Sequence, residues 1–167
     1  MDTTTTTTTV QFRHLCREDY KKYKELISSD TLSESHFNEF VENVLNKHKH
    51  MIIVAETISG SSNDNDNDND NDNTAIMVGT GTIFIEEKLT YGGCRMGHIE
   101  DIFVHKNHRG NGYGLKIIEE LLSIADKNEC YRIDLACNDS NVKFYEKLKF
   151  SKNTINSMSI FLEHHFK

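Results

Sequence analysis

The sequence predicts an α/β (α+β) layered fold, in which a mixed, mostly antiparallel sheet carries helices on both faces. Three strand-like segments follow one another with only loops between them, and strands joined in this way pair antiparallel. Two strand–helix units come next, and a unit of this kind favours a parallel strand beneath a covering helix. A helix bundle or a sandwich would not show this order of elements.

The N-terminal half begins with one alternating and two amphipathic segments. Val10–Cys16 alternates apolar and polar residues, which predicts a strand. Residues 17–29 and 33–48 repeat apolar residues at helical spacing, and Ser33 is placed to cap the second helix. The three strands that follow are predicted at Met51–Ile58, Ala75–Glu87 and Arg95–His105.

The C-terminal half contains the clearest helical pattern of the chain, from Tyr113 to Lys127. Its predicted core stripe consists of Leu115, Ile118, Leu121, Leu122 and Ala125. Later elements are a strand at Tyr131–Cys137, a short helix at Asp139–Lys149 and a last strand at Asn156–His164.

Two low-complexity tracts interrupt this pattern, a threonine-rich tail at residues 1–9 and an Asn/Asp-rich insert at residues 59–74. Neither can bury apolar surface, so both are expected to be disordered. The insert lies between two predicted strands, where a longer loop is tolerated at little cost. We therefore expect a single domain over residues 10–167, which is long enough for one compact core.

Composition and spacing argue against several classes of protein. The net charge of −7 falls to −2 without the five aspartates of the insert, and no basic stripe marks a nucleic-acid binder. No apolar run has the length of a membrane span. The four cysteines are dispersed, which favours a reduced, cytoplasmic protein over a disulfide or zinc framework. The insert lacks the glycine turn and final glutamate of an EF-hand, so no metal site is expected.

The most informative stretch is the turn "RGNGYG" at Arg109–Gly114, between a strand and a helix. Unpaired amides at a helix N-terminus attract anions, and glycines let phosphate oxygens approach them. The turn lacks the GxxxxGK[ST] of a P-loop, and Leu115 stands where a dinucleotide fingerprint has its third glycine. A pyrophosphate site is the favoured interpretation, with a dinucleotide site or a purely structural turn as alternatives.

Arg109, Gly112 and Gly114 form an RxxGxG pattern that resembles the acetyl-CoA loop of the Gcn5-related N-acetyltransferase (GNAT) superfamily. The stretches "GHIEDIFV", "RGNGYG", "CYRIDLAC" and "NVKFYEKLKF" occur in the order and spacing of one family within it. That family is the glucosamine 6-phosphate N-acetyltransferases. The resemblance implies a GNAT-type sheet and transfer of acetyl from acetyl-CoA to the amine of D-glucosamine 6-phosphate, in UDP-N-acetylglucosamine biosynthesis.

The resemblance also implies where acetyl-CoA binds. In the superfamily, the backbone of the strand before the glycine turn contacts the pantetheine arm and the thioester carbonyl, which implies this role for Ile102, Phe103 and Val104. Asn141 has two open roles, a cofactor contact or a helix cap. The residues implied at the pyrophosphate are Arg109, Gly110, Asn111, Gly112, Tyr113, Gly114 and Leu115.

Three residues are implied in catalysis. The family places a tyrosine at Tyr145 near the thioester sulfur, where its hydroxyl can donate to the leaving thiolate. The alternative is that Tyr145 is a half-buried core residue. Glu100 and Asp101 are implied in orienting the sugar and its amine, either with a direct general base or with a chain of waters. As neighbours on a strand, they are expected to point to opposite faces.

Binding of the substrate's phosphate requires cations, and Lys88, Arg95 and Arg132 are candidates by their chemistry. The resemblance supports Lys88 with Tyr91, and Tyr131 with Arg132, and it adds Ile102 beside the sugar. It also implies a homodimer with intermingled C-terminal strands, so that some of these residues reach the site of the partner.

The sequence departs from the family at three places. Ala136 replaces the aspartate of a Leu-Asp-Cys triplet, Phe161 lies where an arginine is frequent, and the link at residues 28–33 is short. None of these lies in the glycine turn. They leave open an acetyltransferase for another amine, such as a polyamine or a protein N-terminus, or a non-catalytic CoA-binding paralogue.

Overall fold

A computed structural model describes residues 8–45, 49–59, 75–90, 92–154 and 157–160. These residues fall into two compact units, which divide between Ala136 and Cys137. The first unit contains the whole sheet and three of the helices. The second contains a 3-10 turn and one short helix. The single-domain organisation inferred from the sequence stays a prediction.

The first unit is built on a five-stranded sheet in sequence order. The first four strands pair antiparallel, and the fifth pairs parallel to the fourth. This confirms the predicted mixed, mostly antiparallel sheet. The strands are β1 (Thr8–His14), β2 (His50–Ser59), β3 (Ile76–Glu87), β4 (Arg95–Val104) and β5 (Cys130–Leu135).

The helices are α1 (Tyr20–Leu26), α2 (Glu34–Phe40), α3 (Tyr113–Lys127) and α4 (Val142–Glu146). The bounds of α3 are those predicted. The first predicted helix opens with a 3-10 turn, and the second continues from α2 as a π-helical turn over Val41–Leu45. Ser33 caps α2 as expected, accepting a bond from the backbone nitrogen of His36. None of the helices in the described ranges combines the length and apolar character needed to cross a membrane.

Helices lie on both faces of the sheet, as β3 shows. Val54 of β2 packs in one cluster with Leu26 and Tyr23 of α1, and it is the pairing partner of Thr80, so Thr80 lies on the α1 face. A Cβ atom built on the next residue, Gly81, would come within 2.7 Å of Ile117 of α3, on the other face. Successive residues of a strand point to opposite faces, so α1 and α3 cover opposite sides. Gly81 has no side chain because α3 packs directly on its backbone.

The buried stripe of α3 is rotated from the predicted one. Ile117, Ile118, Leu121, Ile124 and Ala125 are buried, whereas Leu115 and Leu122 are only half-buried. The prediction omitted Ile117 and Ile124. The reason lies in the sheet, since glycines on β3 leave room for a large side chain directly opposite, at Ile117.

The boundaries of both low-complexity tracts need correction. Thr8 and Thr9, placed in the disordered tail, form the start of β1, and Ser59, placed in the insert, ends β2. They are ordered because Thr8 pairs with Ser59 and Thr9 with Ile58 in the antiparallel ladder. Residues 1–7 and 60–74 lie outside the described ranges.

The predicted last strand is not present over Ser157–Ile160, which have no regular secondary structure. Met158 and Ile160 are 94% and 83% exposed. A strand is stable only when its backbone groups are paired, and these four residues belong to none of the strand pairs in the described ranges. The remainder of that prediction, residues 161–164, lies outside those ranges.

A buried ion cluster joins β1, β2 and the turn before α1. Arg13 donates to both carboxylate oxygens of Asp19 at 2.7 Å and to Glu56 at 2.7 and 2.9 Å. Both carboxylates are only 3% exposed. Burial alone would raise the pKa of Asp19, but the bonds from Arg13 and Cys16 outweigh it and lower that pKa. The bond from Arg13 likewise lowers the pKa of Glu56.

Replacing Arg13 by methionine should lower the free energy of unfolding by about 3–5 kcal/mol, because Asp19 is left buried without its counter-ion and Glu56 keeps only the exposed Lys22, at 4.0 Å. Urea unfolding at pH 7 measures this. The matched control is Lys49→Met, which removes an exposed pair with Glu87 and should cost less than about 1 kcal/mol. The prediction would be contradicted if Arg13→Met lowered the free energy of unfolding no more than the control does.

The same cluster sets a direction for the pH dependence. The folded-state pKa values of Asp19 and Glu56 are lowered, so their stabilising contribution is complete above their unfolded pKa values, about 4. It is lost as the pH falls through the folded values. The difference in the free energy of unfolding between wild type and Arg13→Met should therefore become smaller below pH 4, because the protonated carboxyls no longer need a cation.

Candidate functional site

The glycine turn joins the end of β4 to the start of α3. Gly110 and Gly112 adopt φ angles of +83° and +77°, which L side chains rarely adopt, and Gly112 is the N-cap of α3. No side chain caps this helix, and a Cβ atom at either glycine would meet nothing within 4 Å. The turn therefore exposes the first amides of a 15-residue helix on an open surface, where an anion is stabilised.

Side chains within the turn hold its shape. Arg109 donates from Nε to the carbonyl of Val104 at 3.0 Å, which ties the turn to the end of β4. Asn111 donates to the carbonyl of His108 at 3.1 Å. Arg109 and Asn111 are both exposed. Only the Nε donor of Arg109 is used in the bond to Val104. The remaining N–H donors of its guanidinium can therefore face a ligand.

A β-bulge interrupts β4 immediately before the turn. Thr82 pairs with Glu100 and Thr80 with Phe103, so Asp101 and Ile102 together oppose the single residue Gly81. Asp101 has a φ of +50°, an uncommon angle for a residue other than glycine. The simple alternation that predicted opposite faces for Glu100 and Asp101 is broken here, and both side chains are exposed.

The other edge of β4 opens at the same point. The parallel register of β4 with β5 ends at Ile99 opposite Leu135, so β5 pairs with none of Glu100–Val104. Among the residues that the structure describes, this part of β4 has no strand partner on that side, and such an edge presents amide and carbonyl groups to any extended ligand. Ile102, Phe103 and Val104 lie on this open edge, half-buried, and lead into the glycine turn.

The predicted phosphate-binding cations have carboxylate partners. Lys88 pairs with Glu86 at 2.5 Å, and Glu86 also contacts His98 at 3.1 Å. These two partners, Lys88 first, lower the pKa of Glu86. Arg132 pairs with Asp134 at 2.8 Å.

The remaining predicted residues of this group are placed as follows. Tyr131 is 53% exposed, and its hydroxyl lies 3.9 Å from the sulfur of Met96. Arg95 donates to the carbonyl of Asn128 at 3.1 Å and lies 3.5 Å from both Glu87 and Glu129, which indicates a structural role. The prediction for Tyr91 falls outside the described ranges.

The second unit carries the other two predicted site residues. Asn141 occupies the N-cap position of α4, but its side chain makes no capping bond, so the capping alternative loses support. Tyr145 is half-buried between Phe144 and Phe150, at ring-centroid distances of 5.0 and 6.0 Å. Burial, and secondarily the charge of Cys137, raises the pKa of Tyr145, so its phenol keeps its proton at neutral pH.

Sequence reasoning missed Glu86. It could have been found, because it lies two residues before Lys88 and thus on the same strand face. In the described ranges, no group of three histidine, cysteine or carboxylate side chains could hold a metal ion.

Comparison with known proteins gives consistent matches. The profile of the acetyltransferase (GNAT) family matches residues 14–150. Glucosamine 6-phosphate N-acetyltransferase 1 of Dictyostelium discoideum is 34% identical over 158 residues, covering 92% of this chain and 91% of that protein. The Candida albicans glucosamine 6-phosphate N-acetyltransferase is 43% identical over 72 residues, which are 43% of this chain and 48% of that protein.

A solved structure agrees with these matches. The crystal structure of glucosamine-6-phosphate N-acetyltransferase from Arabidopsis thaliana aligns with a TM-score of 0.75 at 26% identity, covering 92% of this chain and 99% of the other. The profile spans most of the chain, and the Dictyostelium relative aligns along nearly all of both proteins. The chain therefore belongs to the acetyltransferase (GNAT) family and, within it, to the glucosamine 6-phosphate N-acetyltransferases.

Proposed function

We propose that this protein transfers the acetyl group of acetyl-CoA to the amine of D-glucosamine 6-phosphate, forming N-acetyl-D-glucosamine 6-phosphate and CoA for UDP-N-acetylglucosamine synthesis. One observation carries the proposal: the unpaired backbone of the second half of β4 leads directly into the uncapped N-terminus of α3. An extended ligand that ends in a pyrophosphate fits this stretch of backbone. The names of the relatives supply the acceptor.

The residues present fit acetyl-CoA, which would supply the acetyl group as an activated thioester. The first amides of α3 bind the pyrophosphate, assisted by Arg109, because the helix dipole and the open glycines favour an anion there. Backbone groups of Ile102, Phe103 and Val104 bind the pantetheine arm. An amide on this edge stabilises the negative charge that develops on the carbonyl oxygen.

The family resemblance assigns the remaining chemistry to Glu100, Asp101, Tyr145 and Asn141. Glu100 and Asp101 orient the sugar, so that the uncharged amine attacks the carbonyl carbon. Its surplus proton leaves to a carboxylate or to water. Tyr145 donates its phenol proton, or a hydrogen bond, to the departing thiolate, for which a protonated phenol is required. Asn141 is assigned to the cofactor by the family resemblance.

The phosphate of the sugar is assigned to Lys88, Tyr91, Tyr131 and Arg132, with Ile102 beside the ring. Lys88 and Arg132 each hold a carboxylate in the absence of ligand. Binding of a phosphate would add a second anion to each cation. Exposed pairs are weak, so such a rearrangement costs little.

We also propose a homodimer in the cytoplasm. The exposed Met158 and Ile160 in a segment without strand partners support a second copy as the covering surface. The four cysteines are unpaired, as is usual in a reducing compartment. A solution mass of one chain at micromolar concentration would contradict the dimer.

The decisive experiment measures CoA release with glucosamine 6-phosphate, glucosamine, spermidine and a short peptide as acceptors. We expect turnover with glucosamine 6-phosphate at a kcat/KM at least about 100-fold above that with glucosamine, because the phosphate contacts are charge-assisted. Preferential turnover of spermidine or the peptide would instead support a GNAT enzyme for another amine. Binding of acetyl-CoA without any turnover would support a non-catalytic paralogue.

Gly112→Ala should raise the Kd of acetyl-CoA about tenfold, a loss of about 1.4 kcal/mol, because the added Cβ stands where the phosphate approaches. The matched control is Gly93→Ala in the β3–β4 turn. Gly93 has nearly the same φ, +80°, and equally open surroundings. Both variants therefore introduce a similar backbone strain. If calorimetry shows the same rise in the Kd of acetyl-CoA for both, strain alone explains the effect and the prediction is wrong.

Tyr145→Phe should lower kcat about 100-fold, because the leaving thiolate loses its proton donor. The ring and its contacts with Phe144 and Phe150 remain, so the Kd of acetyl-CoA should stay within about twofold of wild type. Steady-state kinetics and calorimetry measure the two quantities separately. An unchanged kcat would remove Tyr145 from the reaction.

A further inference from the structure

A row of aromatic rings crosses the sheet, and His98 lies at its β4 end. Phe40 of α2 contacts His50 of β2 at a ring-centroid distance of 5.8 Å. His50 contacts Phe84 of β3 at 5.5 Å, and Phe84 stacks on His98 at 5.7 Å, with 27° between the two ring planes. The strand register agrees, because Phe84 pairs with His50 on one side and with His98 on the other. The stacking orients the imidazole of His98.

The Nε2 atom of His98 contacts a carboxylate that also binds Lys88. Oε1 of Glu86 lies 2.5 Å from Nζ of Lys88, and Oε2 of the same carboxylate lies 3.1 Å from Nε2 of His98. Both contacts, that of Lys88 first, lower the pKa of Glu86, so this group is ionised at neutral pH. An ionised carboxylate can only accept, so Nε2 carries a proton and donates the hydrogen bond. All three side chains are half-buried.

These contacts connect Lys88 to two strands of the sheet. A lysine side chain is long and flexible, and holding it in one position costs conformational entropy. Glu86 precedes Lys88 by two residues, which places both side chains on one face of the chain. Glu86 is itself held from the neighbouring strand, by His98. The position of the Lys88 ammonium therefore depends on His98 through the carboxylate between them.

The second predicted phosphate-binding cation lies on the other side of His98. Asp134 of β5 pairs with His98 in the parallel ladder, and Arg132 contacts Asp134 at 2.8 Å. Side chains at paired positions share one face of the sheet. The four formal charges of the pairs Lys88–Glu86 and Arg132–Asp134 cancel. A phosphate therefore meets no net positive charge here, and its affinity depends on where the two cations are held.

We propose that His98 is a positioning residue for substrate recognition, which acts through Glu86 to hold the ammonium of Lys88 where the phosphate of the acceptor substrate binds. This role rests on the proposed function and adds to it a residue that does not touch the substrate. The ammonium has three N–H donors, of which Glu86 takes one, so the others remain for the phosphate. A cation that is already oriented loses less entropy on binding. His98 should therefore strengthen binding of a phosphorylated acceptor without changing the rate of acetyl transfer.

Two substitutions separate the hydrogen bond of His98 from its stacking. His98→Phe keeps an aromatic ring against Phe84 but removes the donor to Glu86. His98→Gln removes the ring but keeps an N–H donor at a similar distance from the backbone. His98→Phe should raise the KM for glucosamine 6-phosphate about fivefold, the effect of losing one hydrogen bond of ordinary strength. Its kcat, and its kcat/KM with glucosamine, should stay within about twofold of wild type. His98→Gln should keep the KM for glucosamine 6-phosphate within about twofold.

A double-mutant comparison tests whether His98 acts through Lys88. Lys88→Met removes the cation and should by itself raise the KM for glucosamine 6-phosphate about tenfold or more. Adding His98→Phe to Lys88→Met should then change this KM by less than about twofold, because no ammonium is left to position. An equal fivefold effect in both backgrounds overturns the role of His98. So does a KM for His98→Gln as high as that for His98→Phe, because stacking would then explain both.

Failure of the proposed function gives a different result. Wild-type protein that acetylates glucosamine as efficiently as glucosamine 6-phosphate, or acetylates neither, overturns the phosphate assignment and the role of His98 together. Wild-type protein that prefers the phosphorylated acceptor, with an unchanged KM in His98→Phe, overturns the role of His98 alone. Both variants should retain the wild-type Kd of acetyl-CoA. That control shows that the variants are folded and that the effect is confined to the acceptor.

Discussion

The candidate site depends on one irregularity of backbone pairing, the extra residue in β4 opposite Gly81. A regular strand would keep its partners on both sides as far as the glycine turn. Instead the ladder with β3 is shifted at Asp101, and the ladder with β5 ends two residues earlier, at Ile99. The bulge therefore turns a strand that is internal over its first half into an edge over its second half. Every proposed backbone contact of the pantetheine arm lies on that second half.

Packing around the bulge explains why the irregularity is stable. The side chains of Ile117 and Ile102 pack directly on Gly81. Each has an atom within 2.8 Å of the position that a Cβ atom of residue 81 would occupy. A larger residue would push α3 away from the sheet and move the turn that begins it. On the opposite face, Thr80 donates to the carbonyl of Ile53 in β2 at 2.8 Å, which fixes the strand that the bulge faces. The uncommon φ of Asp101 is thus held by contacts on both sides of the sheet.

The sequence was sufficient for the order of elements, the class of sheet and the bounds of α3, because each depends on periodicity over many residues. The glycine turn was also predictable, since its residue types are dictated by local backbone geometry. The bulge at Asp101 was not, because two acidic residues on a strand give no sign that pairing shifts between them.

The absence of the predicted strand over residues 157–160 has a related cause. These residues have a sequence suited to a strand, but a strand is defined by its partner, and a pattern within one segment cannot identify that partner. This limit does not apply to the ion pairs of Lys88 and Arg132. Their partners, Glu86 and Asp134, lie only two residues away along the chain, a spacing that puts both side chains on one strand face.

The pairing of Thr8 with Ser59 has a consequence for how this gene can change. It places Thr8, the second-last residue of the threonine tract, opposite Ser59, which lies four residues before the Asn/Asp repeat, at one corner of the sheet. Short codon repeats gain and lose units by slippage during replication. Here both repeats join the fold at positions where added residues do not alter the register of any strand. The chain can therefore vary in length at two places at once, while natural selection continues to act on an unchanged catalytic domain.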